Sequence, residues 1–186
     1  MLDAYHRQYG LKCAYLIPAN LYGPGDHFGL ELGHVIPAMI RKFVECKSGG
    51  TVKLWGTGKP TRDFLYVEDC ADAIIRAAER IDDPSPINLG TGVETSMTQL
   101  AIEVEYLVSG RKPDYWVDNP PMERNDYRLW VGDSSKPDGQ MRRVLDTSKA
   151  KEMLGWEATT DLASGLEKTV AWYKANRAQL AGAVNG

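Results

Sequence analysis

Leu16-Ile-Pro-Ala-Asn-Leu-Tyr-Gly-Pro24 is a short apolar strand that halts at a proline and opens into a polar loop. Pro18 has no N–H for a sheet ladder, and its ring fixes φ near about −65°. Gly23-Pro24-Gly25 stops any regular element from continuing. The strand end therefore offers backbone groups, the Asn20 amide and the Tyr22 phenol to whatever lies above the sheet. Parallel α/β sheets bind ligands at the carboxyl ends of their strands. The rest of the chain is expected to converge on this edge.

Upstream, residues 12–17 read as the strand itself. Leu2, Tyr5, His6 and Tyr9 line one side of a helix over residues 1–9 that Gly10 closes. That helix opens at Met1 with no capping residue, and reads as cut rather than begun. Downstream, residues 18–33 read as a long loop of the kind that carries function. Residues 34–47 are predicted helical, with Val35, Ile36, Met39, Ile40 and Phe43 on one side and Pro37 in the first turn. Thr51–Trp55 alternates as a strand, Gly56-Thr-Gly-Lys-Pro60 turns, residues 62–67 are extended and residues 68–81 helical. Pro84-Ser-Pro86 ends that region ahead of a short strand at 87–89.

Thr95 or Ser96 caps a helix that runs to about Val108. Pro113, Pro120 and Pro121 punctuate residues 110–132, where short extended pieces are expected at 115–117 and 127–131. Residues 133–139 form a turn and 142–146 a strand. Gly155 caps a helix over Ser148–Leu154, and Asp161 caps a last helix from Leu162 to about Arg177. Strands alternating with helices indicate an α/β fold. The strands are too few and short for a complete doubly wound sheet, which suggests a smaller lobe attached to the edge of a larger one.

Bulk properties narrow the class. Among 186 residues, 43% hydrophobic and 25% charged describe an ordinary globular chain. A net charge of −3 argues against a basic nucleic-acid footprint. Cys13, Cys46 and Cys70 lack ligand spacing and read as mostly buried thiols of a reducing compartment. With no spanning-length apolar run and no signal-peptide core, a soluble cytoplasmic protein is expected. His6, His27 and His34 are scattered, with no carboxylates at ligand spacing, so no metal site is expected.

Four constellations can carry chemistry. Asn20 and Tyr22 with His34 offer a strand-end amide and an acid at a helix start; an ordinary loop with a capping histidine would look the same. Trp55 and Arg62 flank the Gly56–Pro60 turn as a stacking face and a fork for phosphate oxygens, or as a hairpin with a half-buried indole. Lys42 is a cation on the His34 helix, or part of its solvated face. Asp133, Lys136 and Arg142 surround Ser135-Lys-Pro-Asp-Gly139, a turn suited to a diphosphate or to a charged surface.

Taken in order, Asn20-Leu-Tyr-Gly-Pro24, His34-Val-Ile-Pro-Ala38, Leu54-Trp-Gly-Thr-Gly58, Arg62-Asp-Phe-Leu-Tyr-Val-Glu-Asp69, Asn88-Leu-Gly-Thr-Gly92, Ser135-Lys-Pro-Asp-Gly139 and Leu154-Gly-Trp156 carry a resemblance. The chain resembles the C-terminal part of an extended short-chain dehydrogenase/reductase of the NAD-dependent epimerase/dehydratase family. Within it, the likeness is to the GDP-4-keto-6-deoxymannose 3,5-epimerase/4-reductases. The resemblance implies an α/β substrate-binding lobe plus the last strand/helix portion of a Rossmann-type NAD(P)-binding domain. It divides the chain into a cofactor-domain remnant (1–30), a lobe at 31–180 with segments returning to the Rossmann sheet, and a disordered tail (181–186).

It also implies NADP as cofactor, a GDP-sugar as substrate, and a homodimer for full-length members. Pro18, Ala19, Asn20 and Leu21 would contact the nicotinamide end. His34 would touch the cofactor and act as an acid. Lys42, Trp55, Arg62, Asp133 and Lys136 would hold the GDP-sugar. The family's Gly-rich cofactor turn and Tyr-x-x-x-Lys pair have no match here, which implies a fragment inactive alone. A 4-epimerase or 4,6-dehydratase using NAD, or a non-catalytic nucleotide-sugar binding module, are the rival readings.

Overall fold

A computed structural model describes residues 1–30, 33–47, 50–110, 129–133 and 135–183. In chain order its first elements are α1 (Leu2–Tyr9), β1 (Ala14–Pro18), β2 (Asn20–Tyr22), α2 (Val35–Glu45) and β3 (Thr51–Trp55). β4 (Thr61–Arg62), β5 (Phe64–Tyr66), α3 (Val67–Arg80), β6 (Asp83–Leu89), β7 (Thr95–Ser96) and α4 (Met97–Ser109) follow. The chain continues with β8 (Leu129–Asp133), β9 (Arg142–Arg143), α5 (Ser148–Leu154) and α6 (Leu162–Ala183). The extended piece expected at 115–117 lies outside the described residues. The chain forms two compact units: Met1–Gly23, Thr61–Thr95 and Arg142–Gly165 make the first, and Pro24–Pro60, Ser96–Met141 and Leu166–Gly186 the second.

In the first unit β1 pairs with β6 and β2 with β5, both in parallel. The α/β class read from the sequence therefore holds. Residues 20–22, expected as loop, form a strand instead. Just past Pro18 the Ala19 N–H donates to the Leu89 carbonyl at 2.7 Å, and the Asn20 N–H donates to the Asp63 carbonyl at 3.2 Å. The chain thus hands itself from one partner strand to another. Asp63 breaks the predicted 62–67 strand in the same way, into β4 and β5.

β6 also takes in Pro84 and Pro86, which the sequence marks as the end of a helical region. It pairs with β1, and the register slips between Ala14 and Tyr15, an irregularity that accommodates residues with no N–H for the ladder. The core of this unit is Leu65, Cys70, Ala73, Ala77, Ile87, Leu89, Ala150, Leu154 and Trp156. Of the three thiols only Cys70 is buried; Cys13 and Cys46 are partly exposed, and all three are free.

Tyr22 corrects another expectation. Its ring is 2% exposed and meets Tyr66 edge-on at 5.7 Å. Its hydroxyl faces the Leu162 carbonyl at 3.5 Å, and burial raises its pKa far above the ordinary tyrosine value. The phenol is core, not an offering to a ligand.

In the second unit α2 packs on α4 and β3, and β3 runs parallel to β8. The predicted stripe buries Ile36, Met39, Ile40 and Phe43, each such side chain contributing roughly 1.5–3 kcal/mol. Ser96 opens α4 with a capping box to Gln99. α6 runs to Ala183 rather than Arg177, since Ala178, Gln179, Leu180 and Ala181 are strong helix formers. Among the described residues no helix is long and apolar enough to cross a membrane.

Candidate functional site

Helical spacing places Val35, Ala38, Met39 and Lys42 on one face of α2. That face, the end of β3 and the glycine turn after it line a cleft of ≈ 240 Å³ that also takes in Leu30, Gly33 and Met97. The turn needs its glycines: Gly56 and Gly58 sit at φ 76° and 77°, where L side chains are strained. Asp138 staples it, accepting from the Thr57 N–H at 2.6 Å and the Thr57 hydroxyl at 2.8 Å. These bonds hold the Asp138 carboxyl below the usual carboxylate range. The Gly56 N–H donates to the Asp133 carbonyl at 3.0 Å.

Trp55 closes β3 with 66% of its surface exposed. Lys136 Nζ stands 5.7 Å from its ring centroid, within cation–π range. Asp133 builds the turn that presents Lys136. Its Oδ1 accepts from the Ser135 hydroxyl and N–H at 2.5 and 3.1 Å, its carbonyl accepts from the Lys136 N–H at 3.0 Å, and the Ser135 bonds lower its pKa. Lys42 lines the cleft and donates to the Lys53 carbonyl at 2.9 Å; partial burial lowers its pKa from the ordinary lysine value. His34 caps α2, with its ring 76% exposed and Nδ1 3.5 Å from Asp26 Oδ1.

The remaining predicted residues lie in the first unit. Pro18, Ala19, Asn20 and Leu21 span the junction of β1 and β2. The Asn20 side-chain amide donates to the Asp63 carbonyl at 2.8 Å, which leaves its Oδ1 as an acceptor without a partner among the described residues. Arg62 lies on β4 opposite Arg143, and its Nη1 donates to the Thr61 carbonyl at 2.8 Å. Arg142, grouped by sequence with Lys136, belongs to this unit instead. Its Nε meets Glu94 Oε2 at 3.0 Å, while Thr61 holds the other Glu94 oxygen. The second unit thus gathers Lys42, Trp55, Asp133 and Lys136.

Sequence reasoning missed the carboxylates that shape these loops. Asp63, 1% exposed, accepts from the Thr91 N–H, the Thr91 hydroxyl and the Gly92 N–H at 3.0, 2.6 and 3.1 Å. Asp69, in the first turn of α3, accepts from Thr159 and Thr160. The available signal was their place in the apolar run Arg62–Asp69, because a carboxylate buried there must be hydrogen-bonded. Among the described residues no group of three or more His, Cys, Asp and Glu side chains is arranged to hold a metal ion.

Residues 1–90 match the model of the NAD dependent epimerase/dehydratase family. The chain is 39% identical over 178 residues to a probable GDP-L-fucose synthase 1 of Oryza sativa subsp. japonica, covering 95% of this chain and 49% of that protein. It resembles the crystal structure of a UDP-glucose 4-epimerase with UDP-glucose from Thermotoga maritima, with TM-score 0.75, 28% identity, and coverage of 95% and 50%. It also resembles a GDP-mannoheptose C4 reductase from Campylobacter jejuni with NADP bound, with TM-score 0.71, 26% identity, and coverage of 94% and 56%. The chain spans about half the length of the relatives it matches.

Proposed function

Proceeding from a chain whose first 90 residues match the NAD dependent epimerase/dehydratase family, we propose that it holds the nucleoside diphosphate end of a GDP-sugar in the cleft beside Trp55. One observation carries the reading: Lys136 stands over the exposed Trp55 ring, at a cleft that Lys42 also lines. An indole face with two cations suits a flat base joined to a diphosphate. The base stacks on the ring face that Lys136 leaves open. Lys136 and Lys42 meet phosphate oxygens, Lys42 as a point charge without the bidentate fork of arginine.

For the whole protein we assign 3,5-epimerisation and NADPH-dependent 4-reduction of GDP-4-keto-6-deoxymannose. His34 serves as the acid of the epimerisation, delivering a proton from its exposed ring while Asp26 faces Nδ1. NADPH supplies the hydride of the reduction when bound. The residues that fit its nicotinamide end are Pro18, Ala19, Asn20 and Leu21, because the spare Asn20 Oδ1 matches a carboxamide N–H. No G-x-G-x-x-G and no Tyr-x-x-x-Lys occurs within the 186 residues, so these residues by themselves bind without reducing.

Calorimetric titration with GDP, UDP and GDP-fucose tests the reading. GDP is expected to bind more tightly than UDP. Trp55→Ala is expected to weaken GDP about tenfold, since stacking of a base on an aromatic ring is worth roughly 1–3 kcal/mol. Equal binding of all three ligands, or indifference to Trp55→Ala, would overturn it. A preference for UDP would select the second reading, a UDP-sugar 4-epimerase, which the likeness to the Thermotoga enzyme favours. NADPH oxidation by the purified chain with GDP-4-keto-6-deoxymannose would refute the claim that it binds without reducing.

A further inference from the structure

One wall of the cleft belongs to no regular element. Leu30 and Gly33 come from the loop Pro24-Gly-Asp-His-Phe-Gly-Leu30 and its continuation, a glycine-rich segment that is entropically costly to hold still. Its anchor is Phe28. The Phe28 ring, 4% exposed, stacks on Tyr173 at 4.5 Å and on Trp172 at 5.8 Å. Arg41 Nη1 donates to the Phe28 carbonyl at 3.1 Å, and Arg41 Nε to Glu45 Oε1 at 3.0 Å. The Tyr173 hydroxyl donates to the same Glu45 oxygen at 2.9 Å. One carboxylate thus ties α2 and α6 together where they grip the loop by backbone and by ring. Beyond the anchor, the Gly33 N–H donates to the Gly29 carbonyl at 3.0 Å, so fixing Phe28 and Gly29 also fixes Gly33. The same loop carries Asp26, 3.5 Å from His34 Nδ1.

We propose that Arg41, Glu45 and Tyr173 are positioning residues of the nucleotide cleft, holding through Phe28 the loop that forms its Leu30 and Gly33 wall and sets Asp26 against His34. The inference rests on the reading of that cleft as a nucleoside diphosphate site. None of the three residues lines the cleft; they act by ordering its wall before the ligand arrives, which spares the ligand that ordering cost. Burial and the Glu45 carboxylate push the Tyr173 phenol up to about 12, so it remains a neutral donor throughout the neutral range.

The test combines GDP calorimetry, thermal melting and hydrogen exchange at residues 26–30 and 33, on the unaltered chain and on variants. In Arg41→Ala, loop exchange is expected to accelerate and GDP to bind about tenfold more weakly, with little change in Tm because Arg41 and Glu45 are partly exposed. Tyr173→Phe keeps the ring stack and loses only the hydroxyl, so a smaller shift in the same direction is expected. Arg41→Lys, which retains one donor, restores part of the affinity. Val170→Ala, a change at a buried apolar site in α6, lowers Tm and leaves GDP binding unmoved.

Unchanged loop exchange in Arg41→Ala overturns the proposal, as does accelerated exchange with unaltered GDP affinity. Equal weakening of GDP binding by Val170→Ala overturns it too, since the effect would then be general destabilisation. Failure of the unaltered chain to bind GDP sinks the reading of the cleft instead. Exchange then still decides the loop-holding claim: acceleration in Arg41→Ala supports it, and no change refutes it.

Discussion

Removing the Asp63 carboxylate tests the loop architecture of the first unit. The side chain is 1% exposed and accepts three hydrogen bonds, from the Thr91 N–H, the Thr91 hydroxyl and the Gly92 N–H. Hydrogen bonds to a charged group each contribute about 1.5–3 kcal/mol. Their simple sum overstates the loss, because Thr91 is half-buried and Gly92 exposed, and water replaces part of what is removed. Asp63→Ala is therefore expected to cost about 3 kcal/mol. Asp63→Asn keeps one acceptor for Thr91 but turns an amide N–H toward the Gly92 N–H, and is expected to cost about half as much. With a urea m-value of about 2 kcal/mol/M, the midpoint falls by about 1.5 M for Ala. Trp156 is the tryptophan of the first unit and is 2% exposed. Fluorine NMR of fluorotryptophan-labelled protein follows its resonance through a urea titration, apart from the tryptophans of the second unit. An alanine midpoint within about 0.3 M of the unaltered protein would refute the assignment, as would an asparagine variant less stable than the alanine one.

Leu154→Ala, at a fully buried core position, is expected to lose about 2–5 kcal/mol in the same titration. Gly58→Ala forces an L side chain to φ 77° and drives its Cβ into the Thr98 hydroxyl; lowered Tm together with weaker GDP binding is the expected result. Asp138 has a folded pKa below its unfolded value of 3.8. Its contribution is thus complete above that value and lost as pH falls through the folded one, which the Thr57 amide shift follows. Tyr173 runs the other way: its folded pKa, about 12 against 10.0 unfolded, makes its contribution complete below pH 10.0 and lost as pH rises through about 12. Tyr173→Phe removes that alkaline slope in stability.

Helices were legible where periodicity and caps agree. The α2 stripe and its proline in the first turn, the Ser96 start of α4 and the Gly155 stop of α5 all follow from side-chain spacing and local backbone freedom. β2 was not legible, because a proline and a polar asparagine hide a three-residue strand that exists only by pairing with residues 64–66. β6 was obscured because prolines normally argue against a strand. At the cleft, Trp55, Lys42 and Lys136 could be named from motif order. Asp138 could not be given a role, because it meets its Thr57 partner across 81 positions of sequence. Such a bond leaves no periodic trace in either segment. Arg142 is a second case: its partner Glu94 lies 48 positions away in sequence.

The interleaving of three separate stretches into each unit bears on how this molecule can be taken apart. No single cut of the backbone yields either unit whole, since any contiguous piece long enough to include one must carry segments of the other. Each unit must also wait for distant segments to meet before its strands can pair, so refolding is expected to be slower than for a helical bundle of equal length. Anyone wishing to study one unit in isolation would have to rewire the chain order, not shorten it.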